Sequence, residues 1–431
     1  MGDGYGGGFN RRSVMALVAG GAVAASPVGF AAFASEQDDG ASYAADALQL
    51  IDLVFENYAY PERLAGFSER RLAALRLEAP DVDSGRALIG FGERALAALF
   101  DHHAILGWST ADSYGLVPSF ADLWIASDGV GGYVIEDVRA GSPALRAGVR
   151  PGDALVGVGD ESIDAAISAF IEAPVSELDA EQRAWCARVL SVGRRDRERV
   201  LSFARDGQRR RLSLPNLYET PVERGDGLIS TRELGDGVMH IRFNNSLGES
   251  EAVAAFDAAM MQAHGARGVV IDLRDTPSGG NTVVARGVLG WFVSEPRFYQ
   301  RHELVSETRQ TGIRRSWVEE VSPRPIGQFS GRAVALVGRW TGSMGEGMAI
   351  GFDAIGVHVV GARMAGLRGA VYDFPLSNSG MVVKLPAERL WHVDGTPREL
   401  FMPSEALAFA DFQENGRDVA LEHALTFVRS A

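Results

Sequence analysis

The sequence predicts an α/β protein: a parallel sheet with crossover helices, preceded by a helical subdomain and interrupted by a small β domain. Three observations carry this. Residues 43–105 place apolar side chains at three- and four-residue spacing, as in "AADALQLIDLVFENY" and "GERALAALFDHHAIL". Residues 115–215 change to short apolar runs broken by Gly, Pro and Asp, with a helical insert at "ELDAEQRAWCARVL". From about residue 236, strand and helix patterns alternate through "VMHIRF", "ESEAVAAFDAAMMQAHG", "GVVIDLR", "TVVARGVLGWF", "AVALVG" and "GVHVVG". Such alternation implies parallel strands joined by crossover helices.

Composition excludes several functions. The 431 residues carry a net charge of −14, which argues against nucleic acid and anionic lipid as partners, since both need a basic face. The one cysteine, Cys186, excludes an internal disulfide and a cysteine-based metal cluster, and the helical pattern around it assigns it to packing. No motif calls for a cofactor or metal. The first residues read as a leader: Arg11-Arg12, an apolar run of small residues, and Ala32-Phe33-Ala34 as the cleavage end. A twin-arginine signal peptide over 1–34 predicts a periplasmic or secreted mature chain.

The motifs carry the chemistry. In "GSPALRAGVRPGDALVGVGDESI", Ser142 caps a short helix that begins on Pro143, and Pro151-Gly152-Asp153 turns into the next strand. The run resembles a PDZ domain of the bacterial type; such domains add an extended C-terminal tail as a strand. In "VVIDLRDTPSGGN" a strand ends in a Gly-rich loop that opens a helix, leaving backbone N–H groups for an anion. Neither the P-loop lysine nor the trailing acid of a dinucleotide site accompanies it. In "AVALVGRWTGSMGEG", Ser343 stands between a strand and a helix with small neighbours, and the Met344 N–H is poised to donate to an oxyanion. Serine is also a preferred N-cap, so both roles stay open here. The tandem His102-His103 in "LFDHHAILG" supplies candidate general bases.

The order of these motifs resembles the C-terminal (tail-specific) processing peptidases and the tricorn core protease, over nearly all of the mature chain. The resemblance implies a crotonase-like catalytic domain with an inserted PDZ domain and serine endopeptidase activity. Its boundaries fall at 35–114 for the helical subdomain, 115–215 for the PDZ domain and 216–431 for the catalytic domain. Two catalytic styles exist in the family. The Ser–Lys style needs a lysine where "GARMAGLRGAV" places Leu367 and Arg368, and arginine cannot serve as base. The sole lysine, Lys384, lies in "GMVVKLP", outside any matching motif. The Ser–His–Glu style aligns Asp101-His102-His103 with the family's histidine, making His103 the base and His102 the alternative. The late glutamate aligns in "DGTPRELFMPSE" at Glu399, with Glu388 and Asp394 as alternatives where the family pattern lapses after it.

The expected reading is an exported serine endopeptidase that cleaves polypeptides or protein tails without cofactor. Ser343 attacks, His103 moves the proton, and Glu399 orients the imidazole. Met344 together with Gly279 or Gly280 holds the oxyanion. The competing reading is an inactive scaffold of the same fold that binds peptides or apolar ligands.

Overall fold

The computed structural model describes residues 40–430; the leader read from residues 1–34 lies outside them. No helix of the described residues is long and apolar enough to cross a membrane.

The amphipathic N-terminal segment folds as α1 (Gly40–Asn57), α2 (Phe67–Glu78) and α3 (Gly85–Ala97). One sequence expectation is corrected here. The apolar periodicity of "GERALAALFDHHAIL" predicts one helix, but α3 ends at Ala97 and the chain turns through Phe100 at φ 47°. The histidine pair therefore sits in a turn, leading into the short strand β1 (Ile105–Leu106).

Next comes a self-contained sheet. Strands β2 (Leu123–Ser127) and β3 (Tyr133–Val138) precede the one-turn α4 (Pro143–Arg146), whose cap is Ser142 as its sequence predicts. There follow β4 (Ala154–Val158), β5 (Glu161–Ser162), α5 (Ile163–Ile171), α6 (Ala180–Val192), β6 (Arg199–Arg205) and β7 (Gln208–Leu214). The strand order is β2-β3-β4-β6-β7, with β5 on β4. Helix α6 starts on a full capping box between Asp179 and Gln182 and buries Trp185 and Cys186 in this unit's core.

The remaining chain supplies β8 (Ile229–Glu233), β9 (Val238–Phe243), α7 (Ala252–Gln262), β10 (Gly268–Asp272) and α8 (Thr282–Leu289). Then come β11 (Arg297–Leu304), α9 (Val305–Thr311), β12 (Ser316–Val321), β13 (Arg332–Val337) and α10 (Met344–Ala354). The chain closes with β14 (His358–Gly361), β15 (Ala370–Pro375), β16 (Val382–His392), β17 (Glu405–Ala406) and α11 (Val419–Arg429).

The central sheet runs β17-β14-β13-β10-β9-β8, parallel except for β8. Its strands alternate strictly. Val269 and Ile271 face α7, α8 and α10, while Val270, Val334 and Leu336 face α11, so both sides are covered as a parallel sheet requires. An antiparallel sheet, β1-β16-β11-β12 with β15 on β16, packs Val383 and Leu385 under α1–α3.

Candidate active site

Ser343 follows β13 and begins α10, while the Gly-rich loop follows β10. Both therefore lie at the carboxyl ends of adjacent parallel strands, where ligands of open α/β sheets collect. The two loops are locked together. Thr276 and Thr341 form a parallel bridge, and the Thr341 hydroxyl donates to Leu273 O at 3.0 Å. Glycine is required where they touch: a Cβ on Gly279, at φ +66°, would lie 2.4 Å from Ser343 Cβ and 2.9 Å from its Oγ. A Cβ on Gly342 would lie 2.8 Å from Pro277 O.

The backbone of Ser343 differs from that of the chain's other serine and asparagine caps. Four other helices of this chain begin on Ser84, Ser142, Ser162 and Asn281, each with extended backbone and a side chain accepting from the N–H three residues on. Ser343 instead has φ 51° and ψ −109°, a conformation that is strained for any residue with a Cβ. Ser343 and Glu346 stand in a capping-box relation, and the bond between them that is well formed runs from Ser343 N to Glu346 Oε2 at 2.8 Å. The fully buried Glu346 also accepts from Gly366 N at 2.8 Å and Leu367 N at 3.2 Å. Burial pushes its carboxyl up to about 7, against the Arg398 charge and the N–H donors that lower it.

His103 is buried beside this loop. Its Nδ1 lies 2.7 Å from Arg368 O, so Nδ1–H donates there and Nε2 keeps the lone pair. Its backbone N–H donates to Asp101, whose other oxygen accepts from Tyr58. Burial, with the nearby Arg398 charge, pushes the His103 imidazole down to about 4. His102 is engaged elsewhere: Nε2 accepts from Arg188 Nε at 3.0 Å and the ring stacks on Trp185 at 5.2 Å.

Glu399 lies on the 3₁₀ turn Arg398–Leu400. No hydrogen bond joins it to His103, and its Oε2 is buried with no partner among the described residues. Its charge acts on Tyr60, whose hydroxyl burial already drives upward. The neighbouring Arg398 donates to Leu367 O and Gly369 O, the carbonyls flanking the one that holds His103. Glu388 is taken by His302 and Tyr372, and Asp394 by the turn at Thr396. Lys384 pairs with Asp373 at 2.8 Å. Of the oxyanion candidates, Gly279 N–H is donated to Thr276 O, whereas Met344 N–H and Gly280 N–H have no acceptor among the described residues. No group of His, Cys, Asp and Glu among the described residues has the makings of a metal site.

Two participants escape the sequence reading. Glu346 was visible within "TGSMGEG", and its burial alone marks it as more than a helix-surface acid. The Arg368 carbonyl is a backbone group and leaves no residue-type signal.

The chain is a serine-type peptidase. Its segment 237–400, which holds Ser343 and both sequence loops, matches the model of peptidase family S41. Among solved structures it resembles mature CPAF (TM-score 0.58, 16% identity, 90% of this chain and 97% of that one). It also resembles the photosystem II D1 C-terminal processing protease (TM-score 0.54, 18% identity, 88% and 98%). No curated protein matches the sequence.

Proposed function

We propose that the protein is an exported endopeptidase that cleaves polypeptides or protein tails through Ser343, His103 and Glu399, on a crotonase-like domain with a PDZ domain inserted over 115–215. The single observation that carries the reading is the strained backbone of Ser343 at the start of α10, pressed against Gly279. A helix cap needs no such strain; a nucleophile presented at the mouth of a cleft does.

In the proposed mechanism, neutral His103 takes the Ser343 proton at Nε2 as Oγ attacks the carbonyl, then returns it to the leaving amine. The tetrahedral oxyanion is held by Met344 N–H and by Gly280 N–H, the loop donor not already spent within its turn. Arg368 O fixes the tautomer, and Glu399 balances Arg398 and the transient imidazolium by charge. Water then repeats the cycle on the acyl-enzyme.

The PDZ domain is proposed to capture tails by strand addition. Ile125 O on β2 already accepts from Arg188 at 2.7 Å, so a strand added at that edge must displace this bond. Deleting the PDZ domain should lower cleavage of long polypeptides more than of short chromogenic peptides.

A fluorophosphonate probe tests the whole: it should label the protein and fail to label Ser343→Ala. No labelling of folded protein would favour the inactive scaffold, a reading that draws on the missing Glu399–His103 bond.

A further inference from the structure

A buried group of ionisable side chains lies in the antiparallel sheet against α10, and the proposed mechanism makes no use of it. His302 on β11 is its centre. Its Nδ1 lies 2.5 Å from Glu388 Oε1 on β16, and Tyr372 of β15 donates to the other Glu388 oxygen at 2.7 Å. Its Nε2 faces Glu319 Oε2 on β12 at 3.4 Å, and Glu319 in turn pairs with Arg286 of α8. Trp317 stacks on the imidazole with 5.0 Å between ring centroids, and Arg315, paired with Glu307, lies over the Trp317 ring. Two carboxylates therefore face His302 while a single guanidinium offsets them. The charges sum to zero only when the imidazole carries a proton on both nitrogens.

Gln300, two residues back on β11 and fully buried, links this group to the active site. Its Nε2 lies 3.1 Å from His302 Nε2, and its Oε1 has no hydrogen-bond partner among the described residues. That oxygen meets the first turn of α10: a Cβ on Gly347 would lie 3.0 Å from Gln300 Oε1 and 3.1 Å from Met344 Sδ. The Gly347 N–H donates to Ser343 O at 3.0 Å, so this turn carries the nucleophile. A half-turn of the amide about one bond exchanges its two ends, and the proton on His302 Nε2 decides between them. A bare Nε2 accepts from the amide NH2 and leaves Oε1 without a partner against α10. A protonated Nε2 donates to Oε1, and the NH2 then turns toward Gly347 and the Met344 thioether. Only the protonated arrangement gives the buried oxygen the partner that burial demands.

We propose that His302 is a positioning residue for Ser343: as a charged imidazolium it holds the Gln300 amide by its oxygen, and losing the Nε2 proton loosens the first turn of α10. The inference rests on the reading of Ser343 as the nucleophile. Burial alone would lower the His302 imidazole, but hydrogen bonds to Glu319 and Glu388 outweigh it and hold it above the ordinary value. An effect that needs the raised, protonated form is full at low pH and is lost as pH rises through the folded value. Turnover should therefore fall on the alkaline side.

The test compares the unaltered enzyme with His302→Gln and with Gln300→Met, which keeps the side-chain volume and removes the amide. Taking the ratio of kcat for a fluorogenic peptide cancels the other titrations, that of Glu346 included. At pH 6 the unaltered enzyme should exceed each variant about ten-fold at similar KM, a size typical of a coupled network acting on a remote step. At pH 9 the ratio should approach one. A packing role alone would leave the ratio equal at both pH values, and that result overturns the proposal. Hydrogen exchange of the segment 343–350 makes the same comparison without turnover: it should be several-fold faster in His302→Gln at pH 6 and alike at pH 9. Should His302→Gln fail to fold, Gln300→Met carries both measurements. Exchange that does not differ at pH 6 overturns the proposal, whereas the expected exchange with no cleavage by the unaltered protein counts against the peptidase reading alone.

Discussion

Replacing Glu346 by Ala should destabilise the protein by an amount that depends on pH in a defined direction. The side chain accepts from Ser343 N, Gly366 N and Leu367 N, so truncation leaves three buried donors without their acceptor. Each such donor costs about 1–3 kcal/mol, less whatever a water admitted to the space restores. Against this stands the burial of the carboxyl itself, which raises it from 4.5 to about 7. Between those values the folded state holds a proton that the unfolded state has released. Stability contributed by this group is therefore full below pH 4.5 and is lost as pH rises through 7, by about 3 kcal/mol. The alanine variant lacks that dependence. Its deficit should be about 4 kcal/mol at pH 5 and shrink to about 1 kcal/mol at pH 8. Urea unfolding of both proteins at pH 5, 6, 7 and 8, followed by tryptophan fluorescence, reads this directly, because other titrating groups cancel in the difference. A deficit constant across that range would refute the account of Glu346 as a buried acid of raised pKa. In activity the variant should lose kcat with little change in KM, since the carboxyl fixes Ser343 and the loop holding His103 and does not touch substrate.

Four further outcomes follow from the site. Because His103 is pushed down to about 4, the acid limb of kcat/KM should fall near pH 4, well below an ordinary histidine, and His103→Ala should abolish cleavage of a fluorogenic peptide while the circular dichroism is retained. Gly279→Ala should lower kcat by on the order of 10²-fold, as loss of oxyanion geometry does, because its Cβ would collide with Ser343; unchanged turnover would remove this loop from the site. Lys384→Ala should leave chemistry intact, and a large loss of turnover would restore the Ser–Lys style. Glu399→Gln should lower kcat at similar KM; if Glu388→Gln does so instead, the alignment across "LFMPSE" is wrong.

The elements most legible in the sequence were those whose signal is local. The strands Val238–Phe243, Gly268–Asp272 and Arg332–Val337 and the capped helix at Pro143 follow from apolar runs and cap chemistry, and all lie where the pattern puts them. The segment after α3 failed because periodicity cannot see the turn at Phe100, whose ring packs against Phe67 and Trp185. The discarding of Lys384 as a base rested on motif and count alone, and the structure gives that side chain an ion pair with Asp373. The support of His103 was illegible for a different reason. Its partners are a backbone carbonyl at Arg368 and an aspartate two residues away, and backbone acceptors carry no residue-type signature. Contacts that bring distant segments together, such as Trp340 Nε1 to Ala121 O at 2.7 Å, are likewise outside the reach of spacing arguments.

Ser343 shows where the two kinds of information divide. From residue types alone it is indistinguishable from Ser84, Ser142 and Ser162, which cap helices in the ordinary way. The difference lies three residues on. Glu346 takes the Ser343 backbone N–H and ties the helix start to Gly366 and Leu367, so the beginning of α10 is secured by a carboxyl buried behind it. Glycines at 342 and 345 let Pro277 O and Thr276 Oγ1 approach the same turn closely. Holding a non-glycine residue in that backbone state costs on the order of 1–3 kcal/mol, and only surroundings that over-determine the turn can sustain it. Here the over-determination comes from the acid, the glycines and the threonine bridge together. A serine held in this backbone state mainly by contacts other than its own hydroxyl is the physical ground on which we propose Ser343 as the nucleophile.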